Sequence, residues 1–185
     1  MIRVLGVDDG YFPERRGRAP LLGILMRGTL VEGVLYREIQ IDGTDVTEKL
    51  VDMVARSKYG GQAKAVMTSG TVFAGTNVLD MNAFFEEAGV PVIAVMRRPP
   101  SSSFLRAMER SPNADFILSV IKRNPSPVPL KTKRGVLYVS FVGIGASDVK
   151  RVVEDYQIYS LLPEPVRLAH LVASAVGMGE SRGRP

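Results

Sequence analysis

Asp8 and Asp9 are adjacent carboxylates that end a short apolar run, Arg3–Val7. Two such charges side by side repel, and a divalent cation or an arginine would relieve them. The pair therefore reads as a metal anchor, or else as a solvated turn punctuated by Asp9-Gly10. The chain has no cysteine and one histidine, His170. Disulfides, thiol catalysis and multi-histidine metal sites are excluded, so any metal is held mainly by oxygen, which favours Mg2+ or Mn2+. Asp42, Asp45 and Glu48 gather at the start of a helical pattern, where the helix dipole accounts for them. Asp45 is counted with Asp8 and Asp9 as a candidate metal ligand. His170 lies among Leu168, Leu171 and Val172, as a core residue or as a catalytic partner of Asp8 and Asp9.

Three basic clusters fall on predicted connections: Arg15, Arg16 and Arg18; Arg97 and Arg98; and Lys131, Lys133 and Arg134. With a net charge of +5, these would form a phosphate-binding track if they share a face, and are solvated loops if they do not. The stretch Thr68–Asn77 is built of small residues, with Ser69, Gly70 and Asn77 placed to line a crevice. It lacks the lysine of a phosphate loop, so it either offers backbone amides to an anion or merely connects.

The elements that must position these residues fall into two halves. Arg3–Val7, Leu21–Met26 and Val31–Ile41 are strand-like with short connections, which predicts an antiparallel meander. Helix and strand then alternate. Val46, Leu50, Met53 and Val54 recur at helical spacing, and Ala63–Met67 and Val90–Val95 are short buried strands. Asn77 is predicted to cap a helix that Gly89 ends, and Ser111-Pro112 to start another. Asn124–Lys133 reads as a connection, Gly135–Val142 as a further strand, and Ser147 as the cap of a helix bearing Val149, Val152, Val153 and Tyr156. A last helix carries Leu168, Leu171, Val172 and Ala175. Residues 1–176 read as a single domain and 177–185 as a disordered tail. Ligands in such sheets sit at the carboxyl ends of parallel strands, which brings Asp8-Asp9 beside Ser69-Gly70. No run reaches membrane-spanning length, and the first residues lack a signal-peptide layout, so the cytoplasm is the expected location.

The most specific run is Leu162-Pro163-Glu164-Pro165-Val166-Arg167-Leu168-Ala169-His170. It resembles the carboxyl-terminal Leu-Pro-Glu-Pro-x-Arg-x-Ala-Asp signature of endonuclease V. Val4–Tyr11 is similar to that family's first catalytic strand, and Val66–Asn77 with Gly89–Val95 to its central strand, loop, helix and strand. Asp42–Thr47, Phe73–Asn77 and the Arg-Leu-Ala-His ending resemble more closely an archaeal family, domain of unknown function ninety-nine, distantly related to endonuclease V. The resemblance implies an α/β ribonuclease-H-like fold: a five-stranded mixed sheet flanked by helices, strands 1–3 an antiparallel meander and strands 4–5 parallel to strand 1. It also implies magnesium-dependent cleavage of a phosphodiester beside a deaminated base, in RNA or DNA.

Carried over by residue, the first catalytic aspartate falls on Asp8. The central aspartate falls on Ser69 and the carboxyl-terminal one on His170. The family's lysine falls near Arg97, and Arg167 stands within the signature at the crevice. The intermediate glutamate has no clean match among Asp42, Asp45 and Glu48. With two acidic positions replaced, the resemblance leaves two functions open. One is a metal-dependent nuclease or phosphoesterase with an altered ligand set. The other is a catalytically degenerate protein that binds nucleic acid. An interaction scaffold on the same fold is a third.

Overall fold

The computed structural model describes residues 1–181. Strands β1 (Arg3–Asp8), β2 (Arg18–Arg27) and β3 (Leu30–Gln40) form the antiparallel meander that the apolar runs predict. Helix α1 (Val46–Ala55) leads to β4 (Ala65–Ser69), which pairs parallel to β1 with Val7 opposite Thr68. Helix α2 (Met81–Ala88) leads to β7 (Val92–Met96), parallel to β4 with Ser69 opposite Val95. Between β4 and α2 lies a small hairpin, β5 (Val72–Phe73) and β6 (Asn77–Val78). Helices α3 (Ser102–Glu109) and α4 (Ala114–Arg123) precede β8 (Val128–Thr132) and β9 (Gly135–Val142), and α5 (Ala146–Tyr156) and α6 (Glu164–Met178) follow.

The sheet has seven strands, not the five expected, in the order β3-β2-β1-β4-β7-β9-β8. The two extra strands form a hairpin whose β9 runs antiparallel to β7. The stretch predicted as a connection contains β8, and its Pro129 is tolerated because β8 is an edge strand with one side free of ladder bonds. Other boundaries move as well. Asn77 lies in β6 and does not cap α2, its side chain accepting instead from Val46 N at the start of α1; α2 starts at Met81, where the Asp80 carboxylate accepts from Ala83 N at 3.0 Å. Gly145, not Ser147, is the cap residue of α5. Helix α6 continues through Met178 and ends at left-handed Gly179, so the start of the expected tail is helical; residues 182–185 lie outside the described residues.

Strand periodicity divides the core between the two faces of the sheet. Leu5, Val7, Val66, Val92 and Ala94 pack with α1 and α2. Val4, Met67, Ile93, Val95, Leu137 and Val139 pack with α5 and α6. Gly6 shares the second face, and a Cβ there would lie 2.1 Å from the Pro165 carbonyl carbon. Glycine thus lets the start of α6 lie directly on β1. Among the described residues, no helix is long and apolar enough to cross a membrane.

Candidate active site

The period of two that builds the sheet also parts the two aspartates. Asp8 continues the Val4-Gly6 side and faces α6, where His170 Nδ1 lies 3.2 Å from Asp8 Oδ1. Asp9 turns to the other face and accepts from Ala74 N at 2.5 Å, on the β5–β6 hairpin. The sequence suggests a shared anchor; the structure supplies one carboxylate to each side.

Asp8 is 4% exposed. Its Oδ1 also accepts from Gly10 N at 2.6 Å, so both bonds fall on one oxygen. A carboxylate can only accept, so His170 Nδ1 carries the hydrogen between them. His170 Nε2 is shielded from solvent while Nδ1 faces Asp8, a geometry that suits the imidazole to holding that carboxylate in place.

The cavity between the strand ends and α6 measures about 290 Å³ and is lined by Asp8, Ser69, Val95, Met96, Arg97, Leu162, Val166 and His170. Asp8, Ser69 and Val95 come from neighbouring strands in register, on the same face. Val166 and His170 are one helical turn apart on α6. Leu162 and Val166 escaped the sequence reading, although the i, i+4 spacing of Val166 and His170 marks one face of α6, with Leu162 just before its start.

Several candidates lie elsewhere. Asp45 Oδ1 accepts from Gln40 N at 3.0 Å and from Asn77 Nδ2 at 2.7 Å. Asn77 is fully buried; its Oδ1 accepts from Val46 N and its Nδ2 also donates to Gln40 O. The two side chains pin α1 to the hairpin and do not line the cavity. Gly70 lines a larger groove of about 730 Å³ that shares Ser69 and Met96 with the cavity and takes Arg98 as a wall. Arg167 is paired with buried Glu164, Nε to Oε2 2.9 Å. Arg15 and Arg16 are exposed on the connection from β1 to β2, and Lys131 and Lys133 are exposed on the β8–β9 hairpin. Arg134 donates to the carbonyl oxygens of Gln157 and Ile158, where α5 ends. All three basic connections leave the sheet at the end where Asp8 lies, because β1 turns into β2 there and Met96 at the end of β7 pairs with Tyr138 next to the β8–β9 turn.

Electrostatically, burial and then the Asp8 charge push the Asp9 carboxyl up to about 7, against the pull of the Ala74 amide and His170. Among the described residues, no three acidic or histidine side chains converge as metal ligands. A two-ion centre does not fit, because it needs several carboxylates around both ions. One hydrated cation fits, since Mg2+ commonly rests on one or two carboxylates, water and a substrate phosphate, and Asp8 Oδ2 accepts neither bond made to Oδ1.

A family model described as endonuclease dU matches residues 1–177. The chain belongs to the endonuclease dU family. Its relatives include the UPF0215 protein of Methanopyrus kandleri, 40% identical over 184 residues, which are 97% of this chain and 93% of that one. Among solved structures, a protein of unknown function from Archaeoglobus fulgidus is 34% identical with a TM-score of 0.87, covering 97% of this chain and all of that one. Endonuclease V of Ciona intestinalis, in complex with a 24mer DNA containing an inosine followed by a ribo-adenosine, gives a TM-score of 0.61 at 10% identity. That match covers 95% of this chain and 85% of that one. At that identity the likeness is one of fold. The chain is thus a member of the archaeal, endonuclease V-like family that Asp42–Thr47, Phe73–Asn77 and the Arg-Leu-Ala-His ending resemble.

Proposed function

We propose that this chain is a metal-dependent endonuclease acting on nucleic acid that carries a deaminated base, dU first among them. The observation that carries this reading is Asp8, buried at the carboxyl end of β1, held by His170 and Gly10 in a cavity that Arg97 and Ser69 also line. The family description and the endonuclease V-like fold support it. We read the meander followed by parallel β4 and β7 as ribonuclease-H-like.

A single Mg2+ or Mn2+ on Asp8 would supply Lewis-acid polarisation of the phosphate and an activated water. The chain's own residues do the rest. His170 and Gly10 N fix the Asp8 carboxylate in one orientation. Arg97 meets the negative charge that grows on the phosphoryl oxygens. The Ser69 hydroxyl, where a second carboxylate would repel the phosphate, offers a hydrogen bond instead. Val95, Leu162 and Val166 keep that wall dry, which strengthens each polar contact.

The test is incubation of the purified protein with labelled DNA and RNA, unmodified or containing dU or inosine, with Mg2+ or Mn2+. Cleavage beside the modified base that disappears in Asp8→Asn is expected. A second reading, binding without cleavage, is favoured by the solitary acidic side chain on the cavity wall. It would show as retained affinity with no product under either metal.

A further inference from the structure

The segment between α5 and α6, residues 157–163, separates the Asp8 cavity from a second depression. That depression is a basin of about 750 Å³ lined by Lys133, Arg134, Ser147, Lys150, Arg151, Glu154, Asp155 and Gln157. One end of the segment, Gln157, lines the basin, and Leu162 lines the cavity. The segment is held rigidly. Arg134 binds the carbonyls of Gln157 and Ile158, Gln157 Nε2 donates to Leu161 O at 2.6 Å, and Ser160 Oγ donates to Leu162 O at 2.9 Å. A Cβ on Gly135 would meet Leu161 Cδ1 at 3.4 Å, so the β8–β9 turn lies next to the ridge. On its crest stands Tyr159, 73% exposed and close to Arg167.

An aromatic ring this exposed gains nothing by packing within the chain. Within the basin, Glu154 accepts from Lys133 N and Arg151 is bound to Asp148, so four cations face three carboxylates and the net charge is positive. A cationic trough, an exposed aromatic crest and an adjoining phosphodiester-sized cavity match the chemistry of a single-stranded polyanion with stackable bases.

We propose that the ridge and basin bind the single-stranded flank of the nucleic-acid substrate, with one base stacked on Tyr159 and phosphates over Lys133, Lys150 and Arg151. This rests on the nuclease reading for what sits in the cavity, and adds where the strand leaves it.

The experiment compares labelled single strands of two lengths, one ending near the modified base and one extended by several nucleotides on either side, by anisotropy and by cleavage. For the wild-type protein the extended strand should bind about tenfold or more tightly. Tyr159→Ala should abolish most of that gain while Tyr159→Phe keeps it. A Lys133→Gln, Lys150→Gln, Arg151→Gln variant should lower the salt slope by about 2 for three lost phosphate contacts. All are surface changes, and circular dichroism verifies their fold. If wild type cleaves short and extended strands equally and Tyr159→Ala binds both as wild type does, the path is wrong and the nuclease reading stands. If wild type neither binds nor cleaves either strand, the nuclease reading itself fails and takes the path with it.

Discussion

His170 on α6 donates through Nδ1 to Asp8 Oδ1 on β1 at 3.2 Å, joining residues 162 apart in the chain at one cavity wall. This contact orders the effects of substitution. Asp8→Asn removes the group that would face cation and phosphate, and should abolish detectable cleavage while leaving nucleic-acid binding within a few fold. His170→Ala removes only the support, and a lost supporting contact of this kind costs about 10–100-fold in activity or metal affinity. His170→Asn, whose amide N–H stands near the Nδ1 position, should recover part of the loss. A His170→Ala variant as dead as Asp8→Asn, with no rescue by asparagine, would show a direct chemical role for the imidazole.

Asp9 makes an unusual contribution to pH dependence. Burial and the Asp8 charge push its carboxyl up to about 7. The folded protein therefore holds a proton that the unfolded chain has released above about pH 4. More protons on the folded state means that stability falls as pH rises from about 4 to 7, and levels off above. Asp9→Asn keeps an acceptor for Ala74 N without the charge. It should stabilise the protein at pH 8 by on the order of 4 kcal/mol and at pH 5 by only about 1–2 kcal/mol. Denaturation at the two pH values measures this, and identical increments at both would refute the assignment.

The close seat of α6 depends on glycine. A Cβ on Gly6 would meet the Pro165 carbonyl carbon at 2.1 Å, and one on Gly10, whose φ is +65°, would meet Ser174 N at 2.3 Å. Neither obstacle is a flexible side chain. Gly6→Ala should cost about 1–3 kcal/mol or more, as overpacking does. It should also disturb the Asp8–His170 contact, so both Tm and cleavage fall. Full activity in a merely less stable variant would mean that α6 can ride outward without consequence for the cavity.

Much of this arrangement is legible in the residues themselves. The meander follows from three strand-like runs with short turns, and β4 and β7 from apolar runs with no polar alternation. Helix α3 was not legible, because its start is three serines and only Phe104 and Met108 mark an inward face. Strand β8 was hidden by prolines and lysine that an edge strand accepts. At the site, the run ending in His170 and the Asp8 strand pointed to the same place. The separation of Asp8 from Asp9 was implicit in strand periodicity, yet charge repulsion between neighbours suggested a shared ion. Asp45 and Asn77 could not be placed from sequence, since a buried polar knot and a ligand set use the same residue types.

Asn77 offers a direct contrast between structure and chemistry. Its amide joins Val46 N, Gln40 O and Asp45 Oδ1 in a fully buried position. Asn77→Ala strands a backbone donor and an acceptor, each costing about 1–3 kcal/mol when buried without a partner. A marked fall in Tm is expected, with cleavage per folded molecule unchanged. A specific loss of cleavage at full stability would move Asn77 back into the functional site.

Ser69 and His170 occupy the positions where the endonuclease V resemblance expects carboxylates, and both line the Asp8 cavity. If the cavity is a reduced form of a multi-carboxylate ion site, restoring the acids should restore the affinity. Ser69→Asp with His170→Asp places three carboxylates on one wall, which in the absence of cation repel one another and lower Tm. A bound ion would reverse this, because a ligand that binds only the folded state raises stability by RT ln(1 + [L]/Kd). Millimolar Mn2+ should raise the Tm of the double variant well beyond any shift in the wild-type protein, and Mn2+ binding by electron paramagnetic resonance should tighten about tenfold or more. A double variant whose Tm ignores Mn2+ would show that the geometry around Asp8 is not that of an ion site, and would favour binding without cleavage.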